Sequence, residues 1–289
     1  MKITEHVHAL RIPFQIPVSP TRTIHREVWV YPVISEEVSL FDSGVWGTRA
    51  SVAAYLETQG RQIAGLSALI LTHSHPDHIG GAMAIQKETG CTIFAHETER
   101  LWIENTDLQF RERPVPGFYT LVEGPVKVDR PLSDRDELSL GPDIPCRVVH
   151  TPGHSAGSIS LVLPGEGVLI SGDAVPLPGD VPIYEDISQC VRSLKKLLAL
   201  GPVDVLLSSW EAPLEGAARI EKRIREGLGW LEKIHGLVMG LDNELKKEPM
   251  DLCRHVAYQL GLPPFAVNPL VARTFASSLA DVPVNLFDP

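Results

Sequence analysis

The segment His73-Ser74-His75-Pro76-Asp77-His78 constrains the fold of this chain more than any other. It directly follows an apolar run and directly precedes a pair of glycines. Side chains two positions apart on an extended segment point to the same face, so His73 and His75 can hold one ion together. Proline suits the first turn of a helix, so the chain is expected to turn at Pro76 and direct Asp77 and His78 to a neighbouring position. Imidazole and carboxylate groups in this arrangement indicate zinc or a similar first-row metal, whereas a His-rich polar turn without function would require a coincidence.

The composition restricts the classes of partner. The chain has 289 residues, of which 44% are hydrophobic and 21% charged, as expected for a soluble protein with one large domain or a domain and an appendage. The formal net charge of −10 argues against nucleic acid and anionic membranes as partners. No apolar run approaches the ~18 residues of a membrane span. The first residues contain no long apolar stretch, so we expect no secretory signal. The four cysteines are far apart, so we expect buried thiols and a cytoplasmic location.

Short strand-like runs alternate with helical runs between about residues 23 and 210. Strands are predicted at 24–34, 38–41, 67–71, 92–95, 147–149, 158–163, 168–170 and 203–207. Helices are predicted at 48–59, 81–88 and 187–200. Residues 104–140 are rich in Pro, Arg, Asp and Glu and are predicted to form a long loop or insertion. From about residue 216 onward the pattern is helical, with helices predicted at 217–245, 252–261 and 269–280.

Three further polar segments each follow an apolar strand. They are His150-Thr151-Pro152-Gly153-His154-Ser155-Ala156-Gly157, Ser171-Gly172-Asp173-Ala174 and Ser208-Ser209-Trp210-Glu211. Small residues beside His154 and Asp173 allow the backbone to bend sharply and approach a shared centre. Strand ends also hold side chains rigidly, which a metal site requires.

This series of motifs, over roughly residues 25–210, resembles the metallo-β-lactamase-fold hydrolases. The resemblance rests on the His-x-His-x-Asp-His segment with its Gly-Gly, the Thr-Pro-Gly-His-Ser-x-Gly-Ser segment and the strand that ends in Gly-Asp, in that order. It implies an α+β fold, a four-layer αβ/βα sandwich with metals at one edge of two facing sheets. The catalytic domain would comprise residues 1–215. Residues 216–289 would form a C-terminal helical appendage packed on it, compatible with a lid, a dimer surface or a packing layer.

The resemblance also implies the roles of individual side chains. The implied metal ligands are His73, His75 and His154 for the first ion, Asp77 and His78 for the second, and Asp173 as a bridge. Asp77 is also the expected catalytic residue, since it can orient a metal-bound hydroxide. Asp42, at the end of an early strand, resembles an aspartate that fixes the orientation of a ligand. The implied cofactor is two zinc ions, with iron or manganese as alternatives.

One position departs from the family pattern. The family usually places a final His ligand after its last strand, and Trp210 stands there in this chain. An indole N–H only donates hydrogen bonds and cannot bind a metal. Glu211 could replace the missing ligand, water could complete a weaker second site, or the site could hold one metal. We expect an occupied but weakened second site, because Asp77 and His78 remain.

The expected function is cleavage of a small ester, thioester, lactone or amide by a metal-bound hydroxide, as the resemblance to the glyoxalase II and lactonase-like branches suggests. One alternative is a mononuclear iron oxygenase that resembles the persulfide dioxygenases and uses His73, His154 and Asp173. Another is a metal-binding sensor without turnover. The expected partner is a small-molecule substrate, and a homo-oligomer is compatible with the sequence. His96 and His150 match no ligand position of the family and are expected to have structural roles.

Overall fold

Two six-stranded sheets face each other in the computed structural model, which describes residues 1–19, 22–280, 282–283 and 285–287. Their strands are β1 (Leu10–Ser19), β2 (Arg22–Ile34), β3 (Val38–Phe41), β4 (Leu66–Ile70), β5 (Thr92–His96), β6 (Arg130–Leu132), β7 (Glu137–Ser139), β8 (Pro145–His150), β9 (Ile159–Leu163), β10 (Val168–Gly172), β11 (Val205–Ser208) and β12 (Leu214–Glu215). The first sheet runs in the order β1 to β6, with β3 to β6 parallel and β1 and β2 antiparallel. The second runs from β12 to β7, and within it only β10 and β11 pair in parallel among the described residues.

Helices cover the outer face of each sheet. They are α1 (Thr48–Thr58), α2 (Pro76–Ile79), α3 (Ala82–Thr89), α4 (Arg100–Glu104), α5 (Thr106–Glu112), α6 (Phe118–Leu121), α7 (Ile187–Leu198), α8 (Ala217–Met239), α9 (Asn243–Lys247), α10 (Pro249–Gln259) and α11 (Pro269–Ala276). Helices α1 and α3 share a core with the first sheet. Helices α7, α8, α10 and α11 share a core with the second sheet. The result is the predicted four-layer αβ/βα sandwich.

Successive side chains of a strand belong to different apolar cores. In β2, Val28 and Val30 pack toward the helices, whereas Trp29 and Tyr31 lie between the sheets. In β10, Leu169 packs toward the helices of the second sheet. Because successive side chains of a strand point to opposite faces, each strand contributes to two apolar layers. This double burial fixes the register of both sheets.

The predicted strands and helices between residues 24 and 207 are confirmed, with boundaries that shift by at most a few residues. The prediction of a long loop over residues 104–140 is wrong, since this segment contains α5, α6, β6 and β7. The two strands have three residues each, too few to show a period, and they extend the edges of the two sheets. Strand β1 was not predicted. It contains Pro13 and Pro17, which an edge strand with one neighbour tolerates.

The helices after residue 216 pack on the second sheet and share one core with α7. The boundary between a domain of residues 1–215 and an appendage of residues 216–289 stays a prediction. The four cysteines are buried and unpaired, as expected. Among the described residues, no helix combines the length and the apolar composition that a bilayer span needs.

Gly80 lets the His-rich segment pack closely against two loops. A Cβ atom at this position would collide with the carbonyl oxygen of Leu121 and would lie 2.7 Å from that of Pro76. The Gly80 N–H donates to the carbonyl oxygen of Gly44 at 2.9 Å, and the Gly80 carbonyl oxygen accepts from the Glu123 N–H at 3.1 Å. A side chain at residue 80 would therefore force α2 away from its neighbours.

We expect Gly80→Ala to lower the free energy of unfolding by about 1–3 kcal/mol, because the added methyl group has no space. Gly229→Ala is the matched control. It lies inside α8 with no heavy atom within 4 Å of the added Cβ, and it should raise stability by up to about 1 kcal/mol. Urea unfolding followed by circular dichroism measures both. A Gly80→Ala variant as stable as the parent would show that the loops separate at no cost.

Candidate metal centre

Four imidazoles and one carboxylate converge at one edge of the two sheets. Ligand atoms of His73, His75 and His154 lie within 4.8 Å of one another, and so do those of His73, His78 and Asp173. The His154 Nε2 atom lies 2.8 Å from His75 Nδ1 and 3.3 Å from Asp173 Oδ2. The structure thus brings together five of the six predicted ligands as two overlapping groups.

The ends of strands position these side chains. His73 and His75 follow β4, and His75 is the N-cap of α2, the short helix that carries Asp77 and His78. His154 and Asp173 follow β8 and β10 of the other sheet.

Gly172 has a φ of 52°, a backbone conformation that favours glycine. Its lack of a Cβ atom also permits the close approach of the two sheets. A Cβ atom there would lie 2.9 Å from Thr72 Oγ1, beside His73. A larger residue would therefore separate the strand end that carries Asp173 from the strand end that carries His73.

The donor atoms of this cluster fit a metal ion. His73 Nε2, His75 Nε2, His78 Nε2 and Asp173 Oδ1 are buried, and each lacks a hydrogen-bond partner within the described chain. His78 Nε2 and Asp173 Oδ1 lie 3.4 Å apart, beyond a good hydrogen bond. One buried polar atom left unsatisfied costs about 1–3 kcal/mol, so four such atoms in one place favour a partner that is not a protein group. Imidazole nitrogen and carboxylate oxygen are the ligands that zinc and similar ions prefer.

The protonation states of the imidazoles also suit metal binding. Burial lowers the pKa of His73 and of His75 well below the ordinary value, so both rings are neutral and keep a free lone pair. His78 differs: burial opposes its charge, but the carboxylates of Asp173, Asp42 and Asp77 raise the pKa of His78 well above its ordinary value. A metal bound at His78 would displace that proton.

Asp42 orients His78. Its Oδ2 atom accepts a hydrogen bond from His78 Nδ1 at 2.8 Å, and its carboxylate also accepts from the Thr72 N–H at 2.7 Å and the Thr72 hydroxyl at 2.8 Å. These bonds fix the ring so that its Nε2 atom faces the cluster. This is the geometry that the predicted role of Asp42 requires.

Glu99 connects the two ligand loops, and no sequence motif pointed to it. Its buried carboxylate accepts hydrogen bonds from the Ser74 N–H at 2.9 Å, the Ser155 hydroxyl at 2.8 Å and the Gly157 N–H at 2.6 Å. Ser74 lies between His73 and His75, and Ser155 directly follows His154. One carboxylate therefore fixes the distance between ligands that come from different sheets.

Asp77 lies beside the cluster, outside both groups of ligand atoms. Its carboxylate is 3.6 Å from His78 Nε2, and its side chain is 17% exposed toward a cavity of about 940 Å³. Burial raises the pKa of this carboxyl group. Asp77 is therefore placed to contact both a metal at His78 and a molecule in the cavity.

Trp210 has one hydrogen-bond donor in its side chain, and this donor binds Asp173, a predicted metal ligand. The indole Nε1–H donates to Asp173 Oδ2 at 2.8 Å, and the ring lies under the guanidinium of Arg26 at 4.5 Å. Glu211 instead forms an ion pair with Arg223, whose Nε atom is 2.9 Å from its carboxylate. Glu211 is in neither group of clustered ligand atoms, so its role as a replacement ligand stays a prediction that its contacts do not favour.

His96 and His150 stack on each other, with ring centroids 4.2 Å apart, and belong to neither group of clustered ligand atoms. His150 Nε2 is 3.0 Å from the carbonyl oxygen of Ala156, and His96 Nδ1 is 2.8 Å from the Thr98 hydroxyl. These contacts agree with the structural roles expected for both residues.

Comparisons with known proteins agree with this geometry. The metallo-beta-lactamase superfamily model matches residues 27–209. The Beta-lactamase-like protein 2 homolog of Drosophila melanogaster is 28% identical over 168 residues, which cover 56% of this chain and 51% of that protein. A hydroxyacylglutathione hydrolase of Hyphomonas neptunium is 28% identical over 190 residues, which cover 63% of this chain and 64% of that protein. The chain thus matches between about half and two-thirds of the length of these relatives.

The fold itself recurs in solved structures. A metallo-beta-lactamase family protein from Thermus thermophilus superposes with a TM-score of 0.71 and 24% sequence identity, over 93% of this chain and 92% of that one. At this identity the likeness concerns the fold alone. It extends beyond residues 27–209, so the shared architecture includes most of the C-terminal helices.

We expect Glu99→Gln to weaken metal binding by about 10–100-fold, because an amide cannot accept all the hydrogen bonds that join the two ligand loops. Glu97→Gln is the control, because it removes the same charge from an exposed side chain two residues away. It should leave the metal affinity unchanged. Competition with a chromophoric chelator measures both affinities. Equal affinity in the two variants would mean that the ligand loops hold their positions without Glu99.

We expect Trp210→His to increase the number of metal ions bound per chain, since it adds an imidazole beside Asp173. Trp210→Phe is the control, because it removes the indole N–H without adding a ligand. Metal titration of the metal-free proteins would show a stronger second binding event in Trp210→His only. If both variants bind as the parent does, residue 210 does not face the second position.

Proposed function

Since the chain belongs to the metallo-β-lactamase superfamily, we propose that it is a metal-dependent hydrolase of a small ester, thioester, lactone or amide. The observation that carries this proposal is the set of four buried imidazole and carboxylate atoms without a hydrogen bond, which lie beside a cavity large enough for a small molecule. The relative named hydroxyacylglutathione hydrolase supports an acyl compound as the substrate class.

We assign the ligands as follows: His73, His75 and His154 would hold one ion, and His78 and Asp173, with Asp77 beside them, would hold a second. A metal bound there supplies a Lewis acid and lowers the pKa of a water molecule from 15.7 to about 7. Zinc is the ion proposed, and iron and manganese are compatible with the same donors.

Asp77 is the proposed catalytic residue. It lines the cavity together with His75 and His154. Its carboxylate can accept a hydrogen bond from the attacking water and so direct the oxygen lone pair toward the acyl carbon.

The cavity walls contribute by binding and by excluding water. Phe14, Ile183, Val175 and Trp210 are among the apolar side chains that surround the metal end of the cavity. An apolar wall strengthens the electrostatic interactions of the cluster, because few water molecules screen them.

The number and kind of metal separate this proposal from its alternative. Two ions per chain, or one zinc ion, would support a hydrolase. One iron ion per chain, together with oxygen consumption in the presence of glutathione persulfide, would support a mononuclear oxygenase. Elemental analysis of protein purified without a metal-binding tag makes the first distinction.

We expect His73→Ala and His154→Ala each to remove most of the bound metal and to reduce ester hydrolysis at least about a hundredfold, because a lost Lewis acid costs several kcal/mol of transition-state stabilisation. His96→Ala, outside the ligand groups, is the control and should keep metal and activity. Elemental analysis and a panel of 4-nitrophenyl esters provide the measurements. Unchanged metal content in both ligand variants would refute the assignment.

A further inference from the structure

Arg113 is a buried cation that has no ion-pair partner among the described residues. The residue is 8% exposed, and its guanidinium makes no hydrogen bond to any described side chain or backbone atom. The charges of Asp77, Glu185 and Glu99 favour the charged form of the guanidinium electrostatically. None of these carboxylates is close enough to form an ion pair with it. A buried charge without a partner destabilises the folded protein, so its retention calls for a ligand.

The position of Arg113 identifies the space that such a ligand would occupy. The residue directly follows α5 and lines the same cavity as His75 and Asp77. Phe110, one turn earlier on α5, also lines this cavity. The guanidinium is therefore at the cavity wall on the side of the metal cluster.

The other charged groups of the cavity wall have partners. Arg26 forms two hydrogen bonds with the carboxylate of Asp180, at 2.9 and 3.3 Å. Asp173 accepts the indole N–H of Trp210. Among the described residues that line the cavity, Arg113 is thus the cation available to an incoming anion.

The rest of the wall is largely apolar and comes from separated parts of the chain. Strands β1 and β2 contribute Phe14, Ile16 and Ile24. The connection between α10 and α11 contributes Val267, and the first turn of α11 contributes Leu270. A molecule that fills the cavity must therefore be mainly apolar, with one anionic group.

We infer that the cavity binds an amphipathic anion, whose carboxylate pairs with Arg113 and whose apolar remainder packs between β1–β2 and the α10–α11 connection. The planar guanidinium can donate two parallel hydrogen bonds to a carboxylate, which gives orientation as well as affinity. This inference rests on the proposed function in one respect: it names the substrate of the hydrolase as an acyl compound with a separate acidic group.

The test measures binding of probes that the protein cannot cleave. Octanoate, octane-1-sulfonate and octan-1-ol are titrated into the metal-loaded protein, and Trp210 and Trp230, which line the cavity, report binding by fluorescence. The sulfonate is included because it binds metals poorly. Both anions should bind at least about tenfold more tightly than the alcohol, as expected for a charged hydrogen bond.

Substitutions then assign this preference to Arg113. Arg113→Gln should abolish the preference for anions. Arg113→Lys should keep part of it, because a lysine retains the charge but cannot donate two parallel hydrogen bonds from one planar group. Arg111→Gln is the matched control, since Arg111 lies on the exposed side of α5, two residues away. An unchanged preference for the anions in Arg113→Gln would overturn the inference.

Thermal unfolding distinguishes a binding role from a structural one. If Arg113 is retained for a ligand, Arg113→Gln removes an unpaired buried charge and should leave Tm unchanged or raised. A lower Tm together with the loss of anion preference in both Arg113 variants would assign a structural role and overturn the inference.

The probes keep this inference separate from the proposed function. Anion preference without hydrolysis of any ester would refute the hydrolase proposal and leave the binding site standing. Hydrolysis with equal affinity for octanoate, octane-1-sulfonate and octan-1-ol would refute the anion site and leave the hydrolase proposal standing.

Discussion

The candidate site depends on the hydrogen bonds that join the ends of the two sheets, because neither sheet alone carries enough ligand atoms. His73, His75 and His78 follow the first sheet, whereas His154 and Asp173 follow the second. The sheets are joined at this edge by bonds from Ile159 N–H to the Thr72 carbonyl at 2.9 Å, from Trp29 N–H to the Ser209 carbonyl at 2.9 Å and from the Tyr31 hydroxyl to the Ser208 carbonyl at 2.5 Å. Glu99 adds a bridge between the loops themselves. The apolar layer between the sheets sets their separation, and these polar contacts set the alignment of their ends.

Much of the site could be predicted from the sequence because its ligands occur in short motifs. Four of the polar residues lie within His73–His78, where the local backbone alone decides which side chains share a face. Glu99 and Arg113 could not be predicted in this way. Each lies in a polar stretch that resembles an exposed turn, and each acquires its environment from residues that are distant in the chain. The same reason explains β6 and β7, which are strands only because a neighbouring strand is present.

Trp210 shows that a departure from a family pattern can be recognised before its consequence is known. The sequence indicated the loss of a metal ligand at this position, and an indole cannot provide one. The structure adds that the indole donates a hydrogen bond to one oxygen of Asp173, whereas the other, Oδ1, accepts no hydrogen bond from the described residues and lies 3.4 Å from His78 Nε2. Arg26 then covers the outer face of the ring and is itself neutralised by Asp180. Trp210 is therefore part of a chain of contacts that reaches from Asp173 in the cluster to the partly exposed Arg26–Asp180 ion pair.

The origin of the cavity walls has a consequence for how proteins of this architecture diversify. One part of the apolar wall comes from β1–β2 and the α10–α11 connection, and these segments supply none of the clustered ligand atoms among the described residues. This part of the wall is thus encoded in stretches of the chain that are separate from the clustered ligands. Mutations in these two segments can therefore change which molecule the cavity accepts while the clustered ligand atoms are inherited intact.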